Sequence, residues 1–495
     1  MRAILLTSML MFSMVGAVSA EKPPPTEWEM FFGGDLWEKG NSVQQTSDGG
    51  FILLGETGSY GAGSSDIWLV KVGRLGRQGW SKTFGGSGRE SGYSVQQTSD
   101  DGFIMLGYTD SYGAGGDDFW LIRADRNGNE LWNKTFGGSG RDVGLTVQQT
   151  PDGGFIMLGY TDSYGAGGDD FWLIRADRNG NELWNKTFGG SDDDVGGPVQ
   201  LTSDGGFILL GYTDSYGARE GDVALIRTDR DGNELWNKTF GGSGGEGGGS
   251  VQQTSDGGFI LLGSTSSYGA GAYDSWLIRT DGNGNGLWSK TFGGPWDDHG
   301  ASVQQASDGG FILLGTSDIW GDYSASIVLT RTDPDGNELW TKEFGGEDGD
   351  DGNSVQLTSD GGFILLGNAD YGYGDQDMLL VRMTSEDLPC DLKVSLGNYP
   401  VSVGRGETHS FRADVTNNCD NPLTFDQAVM NIKGPARLEN VLYDASPLTV
   451  RSSVGADVSL QIPPFAPWGT YTVEVTAYRD AEAIDAGSFK VNLTE

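Results

Sequence analysis

The sequence predicts an all-β chain: a seven-bladed β-propeller of 52-residue blades, its last blade closed by an N-terminal strand, followed by an Ig-like β-sandwich. Three observations predict it. The segment Gly102 to Ser139 returns without a change at Gly154 to Ser191. The Phe of a Gly-Phe step recurs every 52 residues, at Phe51, Phe103, Phe155, Phe207, Phe259, Phe311 and Phe363, and a Trp keeps the same interval, at Trp28, Trp80, Trp132, Trp184, Trp236, Trp288 and Trp340. Each period holds four short runs of strand-forming residues between turn residues, with no helical periodicity. A fixed period of about 50 residues marks a repeat architecture, and four antiparallel strands make one propeller blade.

The third copy gives the elements in order. Strand A is Thr146 to Thr150, ended by the turn Pro151-Asp152-Gly153-Gly154. Strand B is Phe155 to Gly159, and the loop Tyr160 to Asp170 leads to strand C, Phe171 to Arg175. The turn Asp177-Arg178-Asn179-Gly180-Asn181 leads to strand D, Leu183 to Phe188. Asp-Gly and Asn-Gly steps supply the positive φ that tight hairpins need. The chain opens its repeats with a D run, Trp28 to Phe32, and closes them with a C run, Met378 to Arg382. The economical solution is a closed ring in which Trp28 to Phe32 completes the blade containing Phe363, leaving no exposed end.

The C–D hairpin, as in Thr228-Asp229-Arg230-Asp231-Gly232-Asn233-Glu234-Leu235-Trp236, resembles the outer hairpin of quinoprotein (PQQ-like) repeats, with a Gly four positions before a docking Trp and an Asp-to-Gly spacing one residue shorter. The repeats also resemble the kelch-like blades of secreted prokaryotic propeller proteins. The resemblance covers residues 27–384 and implies a fold, not an activity, since nothing here matches a quinone clamp. No cofactor is expected, with Ca²⁺ as an ion that Asp-rich stretches such as Asp192-Asp193-Asp194 could collect loosely.

Strand direction alternates within a blade. The A–B and C–D turns therefore share one face, and the longer B–C and D–A loops share the other. Two rings recur on the long-loop face. One is acidic: Glu38, Glu90, Asp142, Asp194, Glu246, Asp298 and Asp350, each two residues before a Gly. These carboxylates read either as joints that accept backbone N–H groups or as metal ligands. The other is aromatic: Tyr60, Tyr112, Tyr164, Tyr216, Tyr268, Trp320 and Tyr371. They read as loop anchors or as a ligand-binding platform. A third ring, Gln44, Gln96, Gln148, Gln200, Gln252, Gln304 and Gln356 on the innermost strands, either keeps the channel polar or ladders blade to blade. The C–D turns resemble the opening of a calcium loop but lack its twelfth-position Glu, and read as hairpins.

The net charge of −37 argues against nucleic acid and anionic membrane surfaces as partners. Residues 1–20 carry one basic residue, an apolar run and Val18-Ser19-Ala20, the pattern of a signal peptide. Residues 21–26 then form a linker, 27–384 the propeller, 385–389 a second linker and 390–495 the Ig-like sandwich, whose alternating short runs carry the only cysteines, Cys390 and Cys419. In an exported chain such a pair forms a disulfide. No second run of spanning length appears, so the mature chain should carry no membrane span.

His299 and His409 are the only histidines, and His299 reads as a solvated loop residue rather than a base, so no catalytic residue is assigned. The expectation is a secreted or cell-surface, non-enzymatic binding or adhesion protein. Its acidic, aromatic long-loop face would meet an extracellular protein or glycan. A glycan-active hydrolase or lyase and a structural cell-envelope component are the alternatives. Catalysis would require a blade-specific carboxylate or Arg cluster at the channel mouth.

Overall fold

The computed structural model describes residues 22–218, 220–318, 325–345, 349–370 and 376–385, together with the backbone of the strands between Leu392 and Leu493. The leader-like segment, Trp320, Tyr371 and both cysteines lie outside the described residues. The chain divides into two compact units, Met1–Glu386 and Asp387–Glu495.

The first unit is a seven-bladed propeller. Six blades are continuous four-stranded antiparallel sheets, spanning 38–84, 90–136, 142–188, 194–240, 246–292 and 298–344, and are called blades 1 to 6. Blade 7 takes Asp351–Leu357, Phe363–Asp370 and Gln376–Met383, and its outermost strand is the first of the chain, Thr26–Phe32. Trp28 pairs with Arg382 and Phe32 with Met378, antiparallel. The N-terminal segment therefore closes the ring as the strand count required.

Strand A is longer than its composition suggests. In blade 3 it runs Asp142–Gln149, starting at the ring carboxylate, and strand B runs Phe155–Thr161. The extension passes through a Gly–Gly pair, Gly144 opposite Gly159, followed by a register shift. A side chain cannot enter here, because a Cβ on Gly159 would lie 1.9 Å from the Val143 carbonyl oxygen. At Gly144, two residues after the carboxylate, a Cβ would meet Leu106 Cγ of the preceding blade at 2.9 Å and the Gly107 carbonyl oxygen at 3.0 Å.

The hydrophobic core lies between blades. Leu54, Ile67 and Leu69 of blade 1 pack on Val95, Phe103 and Met105 of blade 2, and the pattern repeats. The D-strand Trp of each blade meets the strand-B Phe of the next, as in Trp80 with Phe103 at 6.0 Å and Trp132 with Phe155 at 6.1 Å. Trp28 makes the same contact with Phe51 at 6.0 Å, so the closing joint is built like the others. A fully buried large apolar side chain contributes roughly 1.5–3 kcal/mol, and every joint uses several.

Polar ladders reinforce these joints. The carbonyl of Gln44 accepts the backbone N–H of Gln97 at 2.6 Å, and that of Gln96 accepts Gln149 N–H at 2.6 Å. Gln148, Gln200, Gln252 and Gln304 each repeat the bond to the following blade, and Gln356 carries it across the closure to Gln45. The glutamines therefore form the blade-to-blade ladder.

A further ring had its signal in the period but was not read from it. Strand C carries Lys71, Arg123, Arg175, Arg227, Arg279, Arg331 and Arg382, each paired with the Asp of its own A–B turn. Arg175 is 6% exposed, 2.6 Å from Asp152, and also donates to the Phe155 and Ala176 carbonyls.

In the second unit, Leu392–Gly397, Thr408–Asn417 and Ser453–Gln461 form a three-stranded antiparallel sheet. Gly469–Arg479 is central to a five-stranded sheet. The side chains that an Ig-like core would need lie outside the described residues.

Candidate functional site

The long-loop face is assembled where each D–A connector meets the B–C loop of the next blade. At its base sit the ring carboxylates, and all seven are buried, at 0–5% exposure. Their oxygens are engaged. Glu38 accepts the Gly34 N–H on Oε2 at 2.7 Å and the Thr57 hydroxyl on Oε1 at 2.7 Å. Glu90 does the same with Gly86 at 2.8 Å and Thr109 at 2.8 Å, and Asp142 with Gly138 at 2.8 Å and Thr161. Asp194 and Glu246 follow with Gly190, Thr213, Gly242 and Thr265, and Asp298 accepts Gly294 N–H at 2.7 Å. Five of these carboxylates thus tie the connector that precedes them to the following B strand, satisfying N–H groups that burial would otherwise leave unpaired. Among the described residues, no group of three or more His, Cys, Asp or Glu side chains is arranged to hold a metal ion.

A second acidic group approaches four of these joints. Asp66, Asp118, Asp170 and Asp222 open strand C, where their Oδ2 accepts an N–H from the B–C loop, as Asp66 does from Ala62 at 2.7 Å. Burial raises the pKa of all four, and the facing carboxylates Glu90, Asp142, Asp194 and Glu246 add to the rise. Only Gly fits between the two carboxylates. A Cβ on Gly85 would lie 1.8 Å from Asp66 Oδ1 and 2.6 Å from Glu90 Oε2. The Phe-Gly-Gly step of every repeat is the sequence record of this squeeze.

Above the carboxylates stand the tyrosines. Each hydroxyl donates to a carbonyl of the preceding connector: Tyr60 to Gly33, Tyr112 to Gly85, Tyr164 to Gly137, Tyr216 to Gly189 and Tyr268 to Gly241, at 2.9–3.1 Å. In four of them the ring packs on a strand-C Trp, as Tyr60 on Trp68 at 5.4 Å and Tyr164 on Trp172 at 5.2 Å, while Tyr216 has Ala224 at that position. Each ring keeps an open face, leaving these tyrosines 45–56% exposed. They are anchored and exposed at once.

Sevenfold symmetry breaks at the inner rim of blades 1 to 3. Arg89 lies 3.4 Å from Asp110, Arg141 lies 3.4 Å from Asp117, and the Arg141 guanidinium sits over the Tyr160 ring at 5.1 Å. Tyr93 and Tyr108 pack at 6.2 Å. Burial raises the pKa of Glu56, Tyr93 and Tyr108, and pushes the Tyr160 hydroxyl up to about 12. Tyr108 and Tyr160 share one repeat position, and Arg89 and Arg141 share another that holds Trp37, Asp193, Gly245 and Asp297 in other copies, so the cluster arises where two neighbouring copies keep the same residues.

His299 is exposed, but it lies on strand A of blade 6, opposite Thr316, rather than in a loop, and it is not isolated. Its Nδ1 is 3.0 Å from Ser264 Oγ and its ring stacks on Tyr273 at 5.4 Å. The C–D turns are self-contained hairpins, in which Asp125 accepts the N–H groups of Asn127 and Asn129.

No family model matches the chain, and no curated protein matches it. Among solved structures it is similar to the Neurospora crassa Pan2 WD40 domain, at 10% identity and a TM-score of 0.40, over 70% of this chain and 89% of that one. It is similar to the full extracellular region of plexin A4, at 8% identity and a TM-score of 0.44, over 93% of this chain and 67% of that one. A subtype N11 neuraminidase-like protein of A/flat-faced bat/Peru is similar at 13% identity and a TM-score of 0.38, over 75% of this chain and 96% of that one. At these identities and scores no function is carried across.

Proposed function

We propose that this is an exported, non-enzymatic binding or adhesion protein with kelch- or PQQ-like blades, presenting its tyrosine-bearing face to an extracellular glycan or protein. The observation that carries the reading is the state of the tyrosines. Each has its hydroxyl fixed by a carbonyl and one ring face open. Rigid aromatic faces bind at low entropic cost, because little freedom remains to be lost. The buried carboxylates act as joints beneath this platform. The leader-like N-terminus supports export, and no helix among the described residues is long and apolar enough to cross a membrane. The C-terminal unit is the proposed Ig-like spacer or attachment module.

A glycan and peptide array probed with the full chain tests this reading. Binding that falls at least tenfold in the Tyr112→Ala/Tyr164→Ala double variant, with the fold retained, is the expected result. No hit on either array would overturn it.

A second reading, glycan hydrolysis or lysis, is favoured by the Arg89–Arg141–Tyr160 cluster, which is blade-specific and lies at the inner rim. Turnover of a polysaccharide that disappears in Arg141→Ala would establish it over the first. Self-assembly of the chain in the absence of any ligand would instead favour an envelope component.

A further inference from the structure

Strand C carries a buried Trp at one register position in blades 1, 2, 3 and 5: Trp68, Trp120, Trp172 and Trp276. In blade 4 that position is Ala224, although the residues after it, Leu225-Ile226-Arg227, match Leu173-Ile174-Arg175 of blade 3. The surroundings of Trp172 show what one such position holds, with a polar contact that the Trp120 indole N–H does not make. Phe119 of the preceding blade meets the indole edge-on at 5.0 Å and 71°. Tyr164 covers the indole at 5.2 Å. The indole Nε1–H is directed at Asn185 Oδ1, 3.4 Å away.

One period on, all three partners are present without the indole. Phe171, Tyr216 and Asn237 line a cavity of about 220 Å³ between blades 3 and 4, with Ala224 and Ile226 beneath it and Phe188 beside it. The neighbours have not collapsed into the space. Tyr216 is 56% exposed where Tyr60, Tyr112, Tyr164 and Tyr268 are 45–48%, and Ile226 is 7% exposed where Ile122 and Ile174 are 0%. Asn237 is also poised as its counterpart is. Its Nδ2 donates to Glu234 Oε1 at 2.7 Å, as Asn185 Nδ2 does to Glu182 at 2.6 Å, which leaves Oδ1 free to accept.

We propose that this cavity is a binding site for an indole ring, which takes the place the repeat gives to Trp. An apolar cavity of about 150 Å³ already holds benzene, so an open one of this size has room for the bicyclic ring. Phe171 supplies the edge-on wall, Tyr216 the cover and Asn237 the acceptor that selects for an N–H. The source of the ring is either a free indole compound or a Trp side chain of a partner protein. The corresponding space between blades 5 and 6, where Val328 replaces the Trp, makes a useful contrast. It shares the acidic lining, Asp298 and Glu338 matching Asp194 and Glu234 of the cavity between blades 3 and 4, but Ser275 and Thr341 stand where Phe171 and Asn237 do, so it lacks the edge-on wall and the amide acceptor. The inference stands apart from the face-binding reading, since it needs no other tyrosine than Tyr216.

The full chain is titrated with indole, followed by ligand-observed NMR. Saturable binding is expected, and it should be lost in Ala224→Trp, which restores the repeat residue and fills the cavity. Ala224→Phe provides a second filled variant should the first fail to fold. Benzothiophene, which lacks the N–H, should bind about 3- to 10-fold more weakly, the range expected for one hydrogen bond. Competition by N-acetyl-tryptophanamide would identify a protein side chain as the source, and its exclusion a free small molecule. No saturable indole binding at millimolar concentration, or equal binding by the filled variants, would overturn the proposal.

Discussion

If Thr26–Phe32 truly completes blade 7, Trp28 is equivalent to Trp132, and replacing either by Ala must cost about the same. The structure makes the two sites closely comparable. Trp28 meets Phe51 at 6.0 Å and 66°, and Trp132 meets Phe155 at 6.1 Å and 63°. Each also lies over the turn glycine of the next blade, Gly76 and Gly180, and each is half-buried. A fully buried Trp→Ala change costs about 3–5 kcal/mol, so a half-buried one should cost roughly 2 kcal/mol. With a urea dependence of about 3 kcal/mol per molar for a unit this large, each variant should shift the midpoint down by about 0.7 M. The assay is urea unfolding of the full chain followed by near-UV circular dichroism. A Trp28→Ala midpoint equal to wild type, alongside a shifted Trp132→Ala, would refute ring closure by the N-terminal strand and detach the face assignments from the chain.

Three further outcomes follow from the joints. Gly159→Ala would place a Cβ 1.9 Å from a backbone oxygen and should cost more than about 2 kcal/mol, whereas Gly153→Ala, at φ +84° with nothing within 4 Å, should cost only about 1 kcal/mol; thermal unfolding compares them. Asp118 has its pKa raised by burial, with Asp142 adding to the rise, so the stability it contributes is present when it is protonated and is lost as pH rises through its folded pKa. Asp118→Asn should therefore be more stable than wild type at neutral pH, with the difference vanishing on acidification, as read from midpoints between pH 4 and 8. Asp152 behaves oppositely, because the Thr150 hydroxyl, the Gly154 N–H and Arg175 hold its carboxyl below the usual range. Its contribution is lost as pH falls through that lowered value, and Asp152→Ala should cost about 1–3 kcal/mol at neutral pH and nothing extra in strong acid.

The ring and its closure were legible because they rest on spacing, and spacing survives even where residues change. The joint carboxylates and tyrosines were legible as rings, yet their roles were not. Whether a carboxylate holds a cation or an N–H depends on which donors burial brings to it, and Gly34 and Thr57 come to Glu38 from a connector and from the end of a strand. Strand A was read four residues short in blade 3, since its first half, Asp142-Val143-Gly144-Leu145, owes its extension to a Gly–Gly cross-strand pair rather than to strand-forming side chains. The Arg–Asp ring repeated as regularly as the tyrosines, but a basic residue on a strand reads as solvent-facing until its partner turn is placed beneath it. Ala224 was passed over for the opposite reason: a small apolar residue in a buried run attracts notice only when its counterparts in the other copies are known to be indoles packed against a neighbour.

The exchange of one strand between the two ends of the ring also dictates an order of events. The ribosome makes Trp28 about 350 residues before Arg382, so at ordinary synthesis rates the first strand waits roughly 20–70 s for its partner. Throughout that interval blade 1 has an unpaired flank, with Phe51 and Trp68 still lacking the strand that will cover them. The last act of folding is therefore a latch, set only when the whole circle has been made. Any change in the number of blades would have to preserve the angle at which that latch meets its catch.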